Sequence, residues 1–270
     1  MSRRNWPAIR AVVWKDVTAI RRSKAIVLPM VIVPALLLIV LPTVIGLAAR
    51  GTNSPDISQF LSRLPHGFAS PIQRLPQNQQ LIVLVNGYLL APLFLIVPLM
   101  VSSVLAADAF AGEKERRTLE GLLHLPITER DLFYAKVAAA FVPAVAVSWI
   151  GWLAFTVVAD TVAWPVMHRA FLPTRLWAVV ILWVAPAVAA LGMGIMVRVS
   201  ARAKTTQEAS QLGGAVVLPL IFLAVGQSTG LLLVTMPVAL AIGGVIWVIA
   251  LALLSRGASR FTRDRMSATM

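Results

Sequence analysis

The sequence predicts an all-α integral membrane protein. Six transmembrane helices are expected, with an amphipathic helix before the first and a charged helical hairpin between the second and third. Three observations predict this. Hydrophobic residues make up 59% of the chain and charged residues 13%, against roughly 45–50% and about 25% in soluble domains. The apolar residues are gathered into long runs. Lys and Arg lie between and beside these runs, mostly on one side.

The runs fall at 25–49, 81–107, 135–159, 176–197, 211–227 and 231–254, and a spanning helix needs about 20 such residues. The fifth is short, and only Gln227 to Gly230 separate it from the sixth. A tight hairpin and a re-entrant element are both open there. The first run is too long for a signal-peptide core, which holds about 7–15 residues, so it is expected to stay as an anchor. No gap between runs is long enough for a folded soluble domain. The chain is expected to be one domain over 1–270, with a basic cytoplasmic helix at 1–24, six spans over 25–254 and a cytoplasmic tail at 255–270.

Orientation follows from the cations. Seven lie in residues 1–24, five in 108–136 (Lys136 counted with this loop), three in 198–204 and four in the tail. The other side has only Arg50, Arg63, Arg74, Arg169 and Arg175. The richer side is expected to be cytoplasmic, placing both termini there in a multi-pass plasma-membrane protein. The net charge of +13 is assigned to orientation and to anionic lipid rather than to nucleic acid.

Residues 6–22 have an amphipathic period. Trp6, Ile9, Val13, Val17 and Ile20 recur at spacings of three or four, which puts them on one face. Lys15, Thr18 and Arg22 point away. Such a helix is expected to lie in the membrane interface.

The loop after the second span reads GEKERRTLEGLLHLPITERDLFYAK from Gly112 to Lys136. Glu113 is spaced to pair with Arg116 or Arg117 along a helix. Leu119, Leu122 and Leu123 form a small apolar face, and Pro126 stops the helix. Thr128 to Asp131 has the pattern of a capping box that starts the next helix. An exposed leucine patch on a short helix needs a partner surface, and physics alone does not choose among lipid, a neighbouring subunit and a soluble protein.

This string resembles the signature of ABC-2 type transporter permeases. Glu113, Glu115, Thr118, Leu119, Glu120, Leu122, Leu123, Pro126, Ile127 and Lys136 fall on the family's pattern. Trp14, Lys15 and Asp16 resemble the family's N-terminal elbow helix, and Ser200 through Gln211 its second cytoplasmic loop. The resemblance departs at Arg117, where Gly is common, and in the short link between the fifth and sixth spans. It implies an exporter built from two permease copies, homo- or heterodimeric, each docked to a separate ATPase subunit. ATP and Mg²⁺ would be used by that partner, with no cofactor bound by this chain. The coupling residues implied are Glu113, Glu115, Arg116, Thr118, Leu119, Glu120, Leu122, Leu123 and Pro126.

The apolar spans, with Lys136 assigned to the flanking loop, are read as free of ionisable side chains. Gradient-driven carriers place such groups at membrane depth, so a secondary transporter is the alternative, with a non-transporting scaffold behind it. Asn86, Ser102, Ser103, Ser148 and Thr156 are the polar candidates for a conduit, although hydrogen bonding between helices explains them equally well. A charge-free conduit favours lipids, amphipathic drugs or hydrophobic peptides over ions. Prolines recur through the spans and would bend them, and Gly192 and Gly194 would permit close packing. On the far side, Ser54 would cap a short helix with an apolar stripe of Ile57, Phe60, Leu61 and Leu64, lying on the outer leaflet.

Cysteine is absent, which excludes disulfides and thiolate chemistry. His66, His124 and His168 are scattered singly, so a zinc site is not expected. No G-x-x-x-x-G-K-[ST], G-x-S-x-G or H-E-x-x-H string occurs. The chain is therefore expected to be no catalyst itself.

Overall fold

The computed structural model describes residues 6–51, 57–62, 64, 66–115, 128–203, 205–214, 218–228 and 235–260, and every element among them is helical. We number the helices α1 (Trp6–Arg22), α2 (Val27–Arg50), α3 (Ser58–Ser62), α4 (His66–Gln73), α5 (Gln77–Gly112), α6 (Glu129–Met167), α7 (Arg175–Arg202), α8 (Thr206–Gly214), α9 (Leu218–Ser228) and α10 (Met236–Ser259). Five of these, α2, α5, α6, α7 and α10, are long and apolar enough to cross a membrane. They correspond to the first four and the sixth predicted runs. The fifth run falls on the end of α8 and on α9, which has 11 residues and spans about 16 Å at 1.5 Å per residue. Residues 215–217, between them, lie outside the described residues.

The helices outlast the apolar runs. α5 has 36 residues and α6 has 39, about 54 and 58 Å of helix against a hydrocarbon core of about 30 Å. Their polar ends therefore project beyond the apolar layer. The start of α6 was foreseen: the Thr128 hydroxyl accepts from the Asp131 amide at 3.1 Å, satisfying an orphan donor of the first turn.

Burial divides the helices into two groups. The apolar stretches of α5 and α7 are 72% buried, while those of α2, α6 and α10 are 22%, 17% and 17% buried. So α5 and α7 form the centre, and the other three present large apolar faces outward. Gly192 and Gly194 let α7 pack closely on both sides. A Cβ at Gly192 would meet the Ser102 hydroxyl at 2.6 Å, and one at Gly194 would meet Leu253 Cβ at 2.8 Å. The centre includes an aromatic cluster in which Trp177 lies 4.9 Å from Phe155 and 5.5 Å from Phe94, centroid to centroid.

Among the described residues, four π turns interrupt the spanning helices, at Leu36–Val40, Val85–Leu89, Asp108–Gly112 and Val180–Val184. Three are explained by proline. Pro42, Pro92 and Pro186 lack the N–H that would have bonded the carbonyls of Leu38, Tyr88 and Leu182, each inside a π turn. A side chain donates to a carbonyl in each of the four. Thr43 Oγ1 donates to Ile39 at 2.6 Å, Trp177 Nε1 to Asn86 at 3.0 Å, Lys136 Nζ to Ala109 at 2.8 Å and Trp149 Nε1 to Ile181 at 3.1 Å.

At the end of the bundle near α3 and α4, polar contacts join α2, α5 and α6. Arg50 donates through Nε to the Val162 carbonyl at 2.9 Å, and Gln79 Nε2 donates to Val166 at 3.0 Å. Asp160 accepts from the amides of Phe171 and Leu172 at 3.1 and 3.2 Å, folding back the chain after α6. The stripe Ile57, Phe60, Leu61 and Leu64 is present, but it packs inward with Ala69, Ile72 and Leu84. Leu61 is fully buried. The stripe thus seals against α4 and the start of α5, because α4 supplies an apolar partner nearer than lipid. Ser54 lies outside the described residues.

Candidate functional site

The opposite end of the bundle carries α1, the end of α5, the start of α6 and the start of α8. Here the buried face of α1 keeps Ile9, Val13 and Ile20 of the expected face but is rotated away from Trp6. Val12 is buried against Leu132 and Ala135 of α6, with Ile9 and Val13 beside it. Trp6 and Trp14 are exposed at 65% and 73%. Asp16, which no apolar pattern selects, lies on the buried side at 8% exposure. On that side α1 meets Lys136 and Glu113, whose charges act on Asp16.

Those groups form a single cluster. Glu113 Oε1 accepts from Lys15 Nζ at 2.9 Å, and Glu113 Oε2 accepts from Lys136 Nζ. Lys15 also lies 3.5 Å from Asp16 Oδ1. Lys136 is fully buried; besides Glu113 it reaches the Ala109 carbonyl in the π turn and lies 5.8 Å from the Phe110 ring centroid. A buried ammonium is tolerated only when paired and hydrogen-bonded, and these contacts meet that condition. The reading of the third span as charge-free is thereby corrected. Lys136 is its second predicted residue, and the structure buries it within α6. It sits near the end of that helix, and its partner comes from the end of α5.

Burial lowers the affinity of Lys15 for its proton, but the hydrogen bond and charge of Glu113 outweigh this and hold the amine above its ordinary value. Asp16 is pushed above the ordinary carboxyl value, mainly by burial; Lys136 and Lys15 oppose the shift and Glu113 adds to it.

Glu115 makes the second link. Its Oε2 accepts from the Thr206 amide at 2.9 Å and from the Thr206 hydroxyl at 2.8 Å. The first turn of α8 is also capped by Thr205 Oγ1, which accepts from the Glu208 amide at 3.1 Å. A carboxylate at a helix N-terminus meets both free amides and the positive end of the helix dipole. The segment after α5 is thus tied at Glu113 to α1 and α6, and at Glu115 to α8. Arg116, Thr118, Leu119, Glu120, Leu122, Leu123 and Pro126 lie outside the described residues.

The five polar candidates at membrane depth separate. Ser102 donates to the Leu99 carbonyl at 3.0 Å and Ser148 to Ala144 at 2.7 Å, each within its own helix. The side-chain polar atoms of Asn86, Ser103 and Thr156 are buried and make no hydrogen bond among the described residues. Ser102 and Ser103 both face Gly192, and Asn86 lies where its backbone carbonyl takes the Trp177 indole. At membrane depth, a cavity of about 20 Å³ is lined by apolar residues alone, among them Leu95, Val184 and Ile242. None of the five lines it.

Sequence reading missed the joining of Lys15, Asp16, Glu113 and Lys136. The available signal was Lys136 itself, a cation one position inside an apolar run, whereas Glu113 was matched with Arg116 or Arg117 and Asp16 was given no charge partner. Comparison with known proteins bears on the same residues. No curated protein and no solved structure matches the chain. A family model described as ABC-2 family transporter protein matches residues 10–239, from within α1 to the beginning of α10 and so across the whole cluster. With five membrane-length helices and a match over most of its length, the chain belongs to the ABC-2 family of transporter proteins.

Proposed function

We propose that this chain is the permease subunit of an ABC exporter, driven by ATP hydrolysis in a separate polypeptide. Two copies would form the transport unit in the plasma membrane, each with six spans and both termini in the cytoplasm. The carrying observation is the position of Glu113 and Glu115. The segment that would contact the ATPase emerges from α5 between two fixed points, one joined to α1 and α6, the other to α8. A push on residues 113–128 is then delivered to several helices together. Salt bridges and packed helices of this kind carry coupling between distant sites. The acidic and leucine side chains of that segment would make the contact, and ATP and Mg²⁺ would be bound by the partner.

A gradient-driven carrier is the competing reading, and buried Lys136 is the observation in its favour. Its position near the end of α6 and its pairing with Glu113 fit an anchoring role better than a proton pathway. The deciding experiment is co-purification with an ATPase followed by transport in inside-out vesicles. Transport that needs ATP and that ATPase supports the proposal. Transport that continues without the ATPase on a proton gradient overturns it.

A further inference from the structure

Beside the ion cluster, a cavity of about 180 Å³ opens between α1, α5 and α6. Its polar wall is Lys15, Asp16, Asp108 and Glu113; its apolar wall is Ala19, Ile20, Leu105, Ala139 and Ala140. Glu113 is matched by both lysines. Asp16 is matched less fully: its Oδ1 lies 3.5 Å from Lys15 Nζ, but the residue is 8% exposed and its Oδ2 is buried without a hydrogen-bond donor among the described residues. A buried acceptor without a donor is costly, and a cation with N–H groups relieves that cost best.

We infer that this cavity is a binding site for a primary ammonium group carried on an amphiphile, of the phosphoethanolamine headgroup class. Three features of the wall specify this chemistry. An ammonium has N–H donors to give Asp16, whereas a trimethylammonium has none. The apolar wall suits the methylene groups that carry the ammonium. Lys15, whose side chain is 51% exposed, stands at the rim, where a headgroup phosphate would lie. The cavity borders an amphipathic helix expected at the membrane interface, where such headgroups are concentrated. The inference stands independently of the transport proposal, since it concerns what the cavity holds.

The test uses the full chain in a mild detergent. Its thermal unfolding is followed while phosphatidylethanolamine or phosphatidylcholine of identical acyl chains is titrated in, with native mass spectrometry to count bound lipid. Soluble glycerophosphoethanolamine forms a third arm. Phosphatidylethanolamine should raise the unfolding midpoint and bind one to one, at least tenfold more tightly than phosphatidylcholine. Asp16→Asn should remove that preference. Ala139→Leu, which fills the apolar wall and leaves every charge in place, should remove it as well. An equal shift from glycerophosphoethanolamine identifies the source as any soluble amine of this class; a shift from the lipid alone identifies the membrane. Equal binding of the two lipids by the wild-type chain overturns the inference, as does an ethanolamine preference that survives both substitutions.

Discussion

Lys136 and Glu113, 23 positions apart, form an ion pair in which the lysine has no contact with water. The pair joins the end of α5 to the first turns of α6. Glu113 holds Lys15 with its other oxygen, so one carboxylate joins three helices. Removing one member of a buried pair typically costs about 3–5 kcal/mol. Glu113→Ala should approach that cost, because it strands a buried ammonium. Glu113→Gln with Lys136→Met should be much milder. A double-mutant cycle on unfolding in detergent measures the coupling, and additive single effects would show that the two side chains do not support one another.

The leucines of the 113–128 segment give the sharpest functional expectation. Burying one leucine contributes roughly 1.5–3 kcal/mol, and about 1.4 kcal/mol is a factor of ten in affinity. Leu122→Ala combined with Leu123→Ala should weaken ATPase docking at least tenfold, and Glu120→Lys should impair coupling by reversing a contact charge. Both proteins should insert normally. Pull-down and substrate-stimulated hydrolysis at matched permease levels are the measurements. Wild-type behaviour of both variants would move attention to Glu208 and Gln211 in α8.

Orientation is accessible because the chain contains no cysteine. Ser58→Cys, at an exposed position in α3, should react with an impermeant thiol reagent from outside intact cells. Ser267→Cys should react only after permeabilisation. The reverse pattern would place both termini outside and contradict the distribution of Lys and Arg.

Asp16 gives a pH expectation with a definite sign. Its folded-state value lies above the 3.8 of a free aspartate, so between those two values the folded chain binds more protons than the unfolded one. Stability is therefore fully present below the unfolded value, where both states are protonated, and is lost as pH rises through the folded value. The charged groups facing Asp16 are Lys15, Lys136, Glu113 and Asp108. Asp16→Asn should therefore gain relative to wild type as pH is raised from about 3 to about 7. The measurement is the difference in unfolding midpoint across that range. A flat difference would mean that burial does not perturb this carboxyl.

The parts of the fold that follow from local rules were readable from residues alone. Thr128 begins α6 because its hydroxyl is spaced to reach the Asp131 amide. The long apolar runs became α2, α5, α6, α7 and α10. Other parts depend on what packs against what. Val12 and Asp16 are buried because α6 and Glu113 lie against that side of α1, a condition that a helical period cannot express. The stripe around Leu61 faces α4 rather than lipid because α4 exists. Ser102 and Ser148 satisfy themselves on their own helices, which composition does not distinguish from lining a conduit. Lys136 counted as a topological cation, and only the converging ends of α5 and α6 make it a tertiary anchor.

The π turn at Asp108–Gly112 has a consequence for phase. An i→i+5 turn accommodates one residue more than regular α-helical winding, and one residue corresponds to about 100° of rotation. The side chains after that turn therefore point about a quarter-revolution away from where the apolar register of α5 alone would aim them. Glu113 is the first residue after the turn, so its aim at Lys15 and Lys136 depends on that surplus residue. A single deletion within 108–112 would leave composition, charge and hydropathy almost unchanged. It would return the end of α5 to the phase of its apolar core and swing the carboxylate off both lysines.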